Sequence, residues 1–209
     1  MPKISLSMTR LLVILLTATS VLASASWAQP APTVRVRGTV DSVDGAMLMI
    51  KSRDGTDLKV RMTDNVTVFG MIRTPISEIK PGSYIGVSAM PQPDGSQKAL
   101  AVHILPEAQR GAGEGMRPWD LRPDSTMTNA TVAETVAGTD GQNILVKYKD
   151  GEKKVVVPPG TPIVSFVPGD KSELKPGAKI FIFSATKKED GTLEAARVNI
   201  GRDGLTPPM

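Results

Sequence analysis

Two stretches of this 209-residue chain pass through the same features in the same order, one from about Val34 to Leu105 and one from about Met127 to Gly201. Such self-similarity constrains the fold more than any other feature, because each copy must be a structural unit of the same kind. "RDGTDLKV" at Arg53–Val60 matches "KDGEKKVVV" at Lys149–Val157, and "ISEIKPG" at Ile76–Gly82 matches "KSELKPG" at Lys171–Gly177. "PDG" at Pro93–Gly95 matches "EDG" at Glu189–Gly191, and "ALAVHI" at Ala99–Ile104 matches "AARVNI" at Ala195–Ile200. Lys171 follows Ile76 by 95 residues and Asp190 follows Asp94 by 96. Only "GTV" at Gly38–Val40 and "ATV" at Ala130–Val132 depart from this offset, since the second copy has a longer first hairpin.

Each copy reads as strands. "TVRVRGTV", "AMLMIKS", "LKVRM", "SYIGVSAM" and "ALAVHI" mix period-two alternation with short apolar runs, as do "NATVAETV", "NILVKYK", "KKVVVP", "KIFIFSA" and "AARVNI". Asp-Gly recurs seven times, mostly between these segments. Both residues tolerate positive φ, so the dipeptide closes tight hairpins. It is no calcium loop, because the D-x-D-x-D-G-x₅-E spacing is missing. Five or six short strands joined by hairpins hide their edges by curling into a small barrel. "TPISEIKPG" interrupts the pattern after the third strand as a loop or a single helical turn ended by Lys-Pro-Gly. The predicted fold is therefore all-β: two tandem OB-like barrels at 32–107 and 127–203, a Gly/Pro-rich linker at 108–126 and a tail at 204–209.

The paired "DG" hairpins and the "EIKPG" or "ELKPG" lead into a strand resemble a bacterial exported family, a domain of unknown function with OB-like β-barrel repeats. The middle "GEGMRPWDLRPDSTMTNATV" and the tail "GRDGLTPPM" resemble a proteobacterial subgroup of it, some of whose members carry the label of a metal ABC transporter permease. This sequence departs from that label, since a permease needs several spanning helices. The resemblance implies a fold and a compartment, and no activity.

The first 28 residues are expected to leave. Lys3 and Arg10 precede the apolar run "LLVILLTATSVLA", and "SASWA" offers small-x-small cleavage sites after Ala25 or Ala28. That is the order of a secretory signal peptide, and the run is shorter than the ~20 residues of a spanning helix. The expected location is the periplasm or the exterior, with no transmembrane segment in the mature chain. The chain has no cysteine, which excludes disulfides, thiolate metal sites and thiol nucleophiles. Without Lys3 and Arg10 the mature chain holds 23 basic against 21 acidic residues, too even a balance to argue for a polyanion by itself.

Little in the sequence carries chemistry. His103 is the only histidine, and an imidazole metal site wants two or more. Alternation sets His103 opposite Val102 and Ile104, so His103 and its counterpart Asn199 are expected on the outer face of their strands. Met47, Met49 and Met62 are expected to fill the core. One histidine is a poor supply of bases for a nucleophilic triad, and no cofactor is expected. Basic strand positions such as Arg35, Arg37, Lys59 and Arg61, near Phe69 and Tyr84, are the material of a single-strand groove, yet export argues against nucleic acid as partner. The mature protein is expected to be a non-enzymatic binding or interaction module for a protein or an envelope component. The alternative is a ligand-binding role, for a metal ion or an anionic envelope polymer, in the groove between the barrels.

The linker divides in two. Glu107–Glu114 is polar and loosened by Gly111 and Gly113, as a flexible cord would be. "MRPWDLRPDS" is stiffened by two prolines and carries Trp119 and Leu121, which should dock onto a barrel. Arg117, Trp119, Asp120 and Arg122 are the candidate partner contacts, because tryptophan and arginine dominate binding hot spots.

Overall fold

A computed structural model describes residues 32–138 and 141–209. The signal-peptide expectation over residues 1–28 lies outside them. The strands are β1 (Thr33–Asp44), β2 (Met47–Ser52), β3 (Asp57–Arg73), β4 (Tyr84–Pro91), β5 (Gln97–Ile104) and β6 (Gly115–Pro118). They continue with β7 (Thr126–Gly138), β8 (Gly141–Tyr148), β9 (Gly151–Val157), β10 (Ile163–Pro168), β11 (Lys179–Lys187) and β12 (Leu193–Gly201). The "ISE" and "KSE" stretches each form one 3₁₀ turn, at Ile76–Glu78 and Lys171–Glu173.

The fold is all-β and contains a closed five-stranded barrel. Its strands run in the order β1-β2-β3-β12-β11 and back to β1. All neighbours are antiparallel except β3 and β12, whose parallel contact pairs Val60 with Leu193 and Val68 with Val198. This is the strand order of an OB-like barrel. It corrects the expected boundaries, however, because β1–β3 come from the first sequence segment and β11–β12 from the second. The remaining strands pair in the order β5-β4-β7-β8-β9, and β9 returns to β5 through Gln97–Val155 and Lys98–Val156. Here β4–β5 come from the first segment and β7–β9 from the second. The segments exchange their last two strands, so 32–107 and 127–203 are not separate bodies.

Hydrophobic alternation explains why each mixed set holds together. In the barrel, Val36, Leu48, Ile50 and Val60 pack against Ile180, Ile182, Leu193 and Val198. In the second set, Ile85, Val87, Ala99 and Val102 pack against Val132, Ile144, Val146 and Val155. Inward residues of either segment thus find their partners on the other. Met62 is buried as expected, but Met47 and Met49 lie on the opposite face from Leu48 and Ile50 and are only half-buried. Strict alternation assigns the inner face to Leu48 and Ile50.

The exchange runs through the middle of the molecule. β3 continues past the barrel for 17 residues in all and pairs antiparallel with β10, with Met71 opposite Phe166, Phe69 opposite Pro168 and Arg73 opposite Val164. Met71 and Phe166 are 95 apart in sequence, the offset between the two segments, so the antiparallel pair is centred on equivalent residues and implies an approximate twofold axis there. The same offset relates β3–β12 to β10–β5, where Ile163 pairs with Val102 and Val164 with His103. The second segment has two strands where the first has one, because Pro158 and Pro159 donate no ladder hydrogen bonds.

A third apolar cluster fills this centre: Met71, Trp119, Met127, Val164, Phe181, Leu205 and Met209. It explains a second correction. His103 and Asn199 do point away from the inner faces, but that side is covered, and they are 0% and 1% exposed. Asn199 donates to the Phe181 carbonyl at 2.9 Å, and His103 Nδ1 lies 3.2 Å from the Gly86 carbonyl at the corresponding position. The tail is likewise part of the fold. Leu205 and Met209 are buried, Arg53 donates to the Pro207 carbonyl at 2.6 Å, and Arg202 forms two bonds of 2.8 Å to Glu173.

Candidate functional site

The residues singled out in the linker separate on folding. Trp119 follows β6, which pairs with the start of β7. A tight turn closes behind it: the Trp119 amide donates to the Ser125 carbonyl at 2.8 Å, and the Ser125 hydroxyl is within 3.1 Å of the Trp119 carbonyl. The indole enters the central cluster, 7% exposed and 6.5 Å from the Phe183 ring. Trp119 is therefore a clamp and no surface hot spot. Arg122 is exposed and contributes main-chain hydrogen bonds to Ser125.

The cord expected at Glu107–Glu114 is also tied down. The Ala112 carbonyl accepts from Tyr84 Oη at 3.2 Å and Asn129 Nδ2 at 2.9 Å, and the Glu114 carboxylate accepts from the Lys149 amide at 3.0 Å. Gly111, Gly113 and Gly115 take positive φ there, which L side chains rarely adopt. Their glycines shape a path and do not loosen it.

Arginines gather around Trp119. The Arg35 guanidinium sits 4.0 Å from the ring centroid, and those of Arg37 and Arg117 at 5.9 Å. Asp120 is the carboxylate among them. It takes two hydrogen bonds from Arg37, at 2.6 and 3.1 Å, and lies 3.5 Å from Arg35. The Arg37 hydrogen bonds hold its carboxyl below the usual range. Arg117 is treated differently: burial, and then the charge of Arg35, lower its pKa, and it donates to the Gly113 carbonyl at 2.7 Å. Arg53 is lowered the same way by burial and by Arg37. Among the described residues no carboxylate lies within ion-pair distance of Arg117 or Arg53.

Beside this cluster a cleft of about 550 Å³ opens along the seam between the two strand sets. Arg117, Asn129, Phe183, Glu194 and Arg197 are among the residues that line it. Arg197 rests 4.8 Å over the Phe69 ring, and Glu194 is already paired to Lys188 at 2.6 Å. The cleft lining thus includes two guanidinium groups, one aromatic ring and a carboxylate already engaged by Lys188. Composition hid it: the arginines come from β6 and β12, far apart in sequence, and overall charge is balanced. The described residues bring no three His, Asp or Glu side chains together to share a cation, and no helix among them is long and apolar enough to cross a membrane.

Comparison of the chain with protein-family models, with curated proteins and with solved structures finds no match.

The clamp is tested by substitution. Trp119→Ala should cost about 3–5 kcal/mol of stability in urea unfolding, the usual loss for a buried tryptophan. Trp119→Phe should cost much less, because the indole N–H is buried with no partner among the described residues and phenylalanine removes that penalty. Equal losses for the two would show that the ring's apolar packing is not what matters.

Proposed function

We propose that the protein is an exported, non-enzymatic binding module that holds an anionic envelope polymer in the seam cleft. In this reading residues 1–28 direct export, the two segments are a tandem repeat, and the second strand set serves as a second barrel that completes the cleft. The single observation that carries the reading is the pair Arg117 and Arg197 lining one cleft with no carboxylate in ion-pair distance among the described residues. The Arg117 guanidinium, half-buried and repelled by Arg35, is stabilised by an incoming anion, the exposed Arg197 adds a second forked donor, and phosphate, sulfate or carboxylate groups match both. Phe183 and the Phe69–Arg197 stack provide apolar surface for the backbone of a chain-like ligand. The metal version of ligand binding has no donor set among the described residues. A non-enzymatic role is supported by the state of the only imidazole, which is buried and bonded to a backbone carbonyl.

The test is titration calorimetry of the chain from residue 29 with polyphosphate, alginate and neutral dextran. The two polyanions should bind and dextran should not, and binding should weaken as salt rises from 50 to 500 mM. Arg117→Glu with Arg197→Glu should weaken binding at least tenfold while far-UV circular dichroism stays unchanged. Undiminished binding by the double variant, or equal binding of dextran, would refute the reading.

A further inference from the structure

We propose that the chain assembles with a second copy of itself by exchanging halves about the linker, residues 32–106 of one copy pairing with 115–209 of the other. The basis is the strand exchange already present within one chain. Every closing contact of the barrel, β1–β11 and β3–β12, joins one half to the other, as do β10–β3, β10–β5, β4–β7 and β5–β9. None of these contacts depends on whether the halves share a peptide connection. A partner copy can supply each of them unchanged, so exchange keeps every one of these strand pairings; it gives up linker hydrogen bonds such as those of Ala112 and Glu114 and costs the entropy of association.

What keeps the exchange internal is Glu107–Glu114. These residues lie on the surface, mostly exposed, and none belongs to an apolar cluster. They carry the chain from the end of β5 across β4 and β7 to β6, since β5 pairs with β4, β4 with β7 and β7 with β6. Three strand spacings amount to ~14 Å, whereas one residue step covers ~3.8 Å. Eight residues bridge that gap comfortably and a direct Pro106–Gly115 bond does not. With the linker present, each half sees the other at an effective concentration on the order of 1 mM, so one chain closes on itself in dilute solution and exchange competes when chains refold at comparable concentration. An exchanged dimer carries two copies of the seam cleft on one particle. That doubling matters for a polymeric ligand only if the proposed function holds; the exchange itself does not rest on it.

The experiment uses the chain from residue 29, unfolded in urea and refolded at about 1 µM and at about 1 mM, then separated by size with light scattering at one common dilution. Dimers formed only in the concentrated sample, persisting on dilution and giving mixed species when two mass-tagged populations are refolded together, are the expected result. Monomer alone from both refolding concentrations would overturn the proposal. Deleting Glu107–Glu114 supplies the second arm: the variant should be predominantly dimeric, with the circular dichroism of the parent. A folded monomeric deletion variant would overturn the proposal as surely, because closure within one chain would then not need the bridge.

Discussion

When a protease site placed at Gly113 is cut, the two halves of the chain should remain one particle. The fragments on either side should co-elute at the intact mass, keep the parent's far-UV circular dichroism and unfold in a single shared transition. Two tandem barrels would behave otherwise: each fragment would carry its own closed sheet and leave with it. Here the fragment ending at Gly113 holds β1–β5, which make up three strands of the barrel and two of the other set. Neither fragment can bury Leu48, Ile50 and Val60, or Ile144, Val146 and Val155, without the other, because the facing residues lie beyond the cut. Losing the covalent link removes an effective concentration on the order of millimolar, so the midpoint of unfolding should become concentration-dependent. The effect is large in the sense that matters: separate fragments, each folded and each at half the mass, would contradict the strand order itself.

That strand order marks where the sequence stops being informative. Alternation locates the strands, and the "DG" and "KPG" signals locate the turns, because both are properties of a few adjacent residues. Which strands close the barrel and which join the other set is a different kind of fact. β4 carries inward apolar residues such as Val87 and β11 carries Ile182, so local sequence does not say which of them pairs with β1 and which with β7. Segments this similar in sequence offer interchangeable halves, and the arrangement observed goes with the unbroken length of β3 and its pairing with β10. The same ambiguity misplaced His103 and Asn199: their period was right, but the face they occupy is covered, with Phe166 of the other segment beside His103. In the candidate site, Trp119 was legible as a docking residue from its apolar bulk between prolines. Arg197 was not, because nothing local distinguishes it from a solvated strand arginine.

His103 leads to the second large effect. Burial pushes its imidazole down to about 4, with the Gly86 carbonyl opposing only part of that shift. A carbonyl only accepts, so Nδ1 carries the proton, and Nε2 is buried with no partner among the described residues. The unfolded chain takes up a proton near pH 6.5 and the folded chain near pH 4. Between those values the unfolded state binds more protons, so stability falls as the pH drops; above pH 6.5 both states are neutral and the term vanishes. The full loss, reached near pH 4, is about 3 kcal/mol at 1.36 kcal/mol per pH unit. His103→Asn should abolish this dependence. Asparagine already stands at the corresponding place, where Asn199 Nδ2 donates to a strand carbonyl at 2.9 Å, and the Gly86 carbonyl is available in the same way. Urea unfolding at pH 7.5, 5.5 and 4.2 should show parent and variant within about 1 kcal/mol at the highest pH and diverging in the variant's favour below pH 6.5. Carboxylates such as Asp120 and Glu173, held low by arginine hydrogen bonds, lose their contribution as the pH falls through their lower folded values. They do so equally in both proteins, so the difference between the curves isolates the imidazole. Parallel curves across the whole range would mean that His103 is not held neutral in the centre of the molecule.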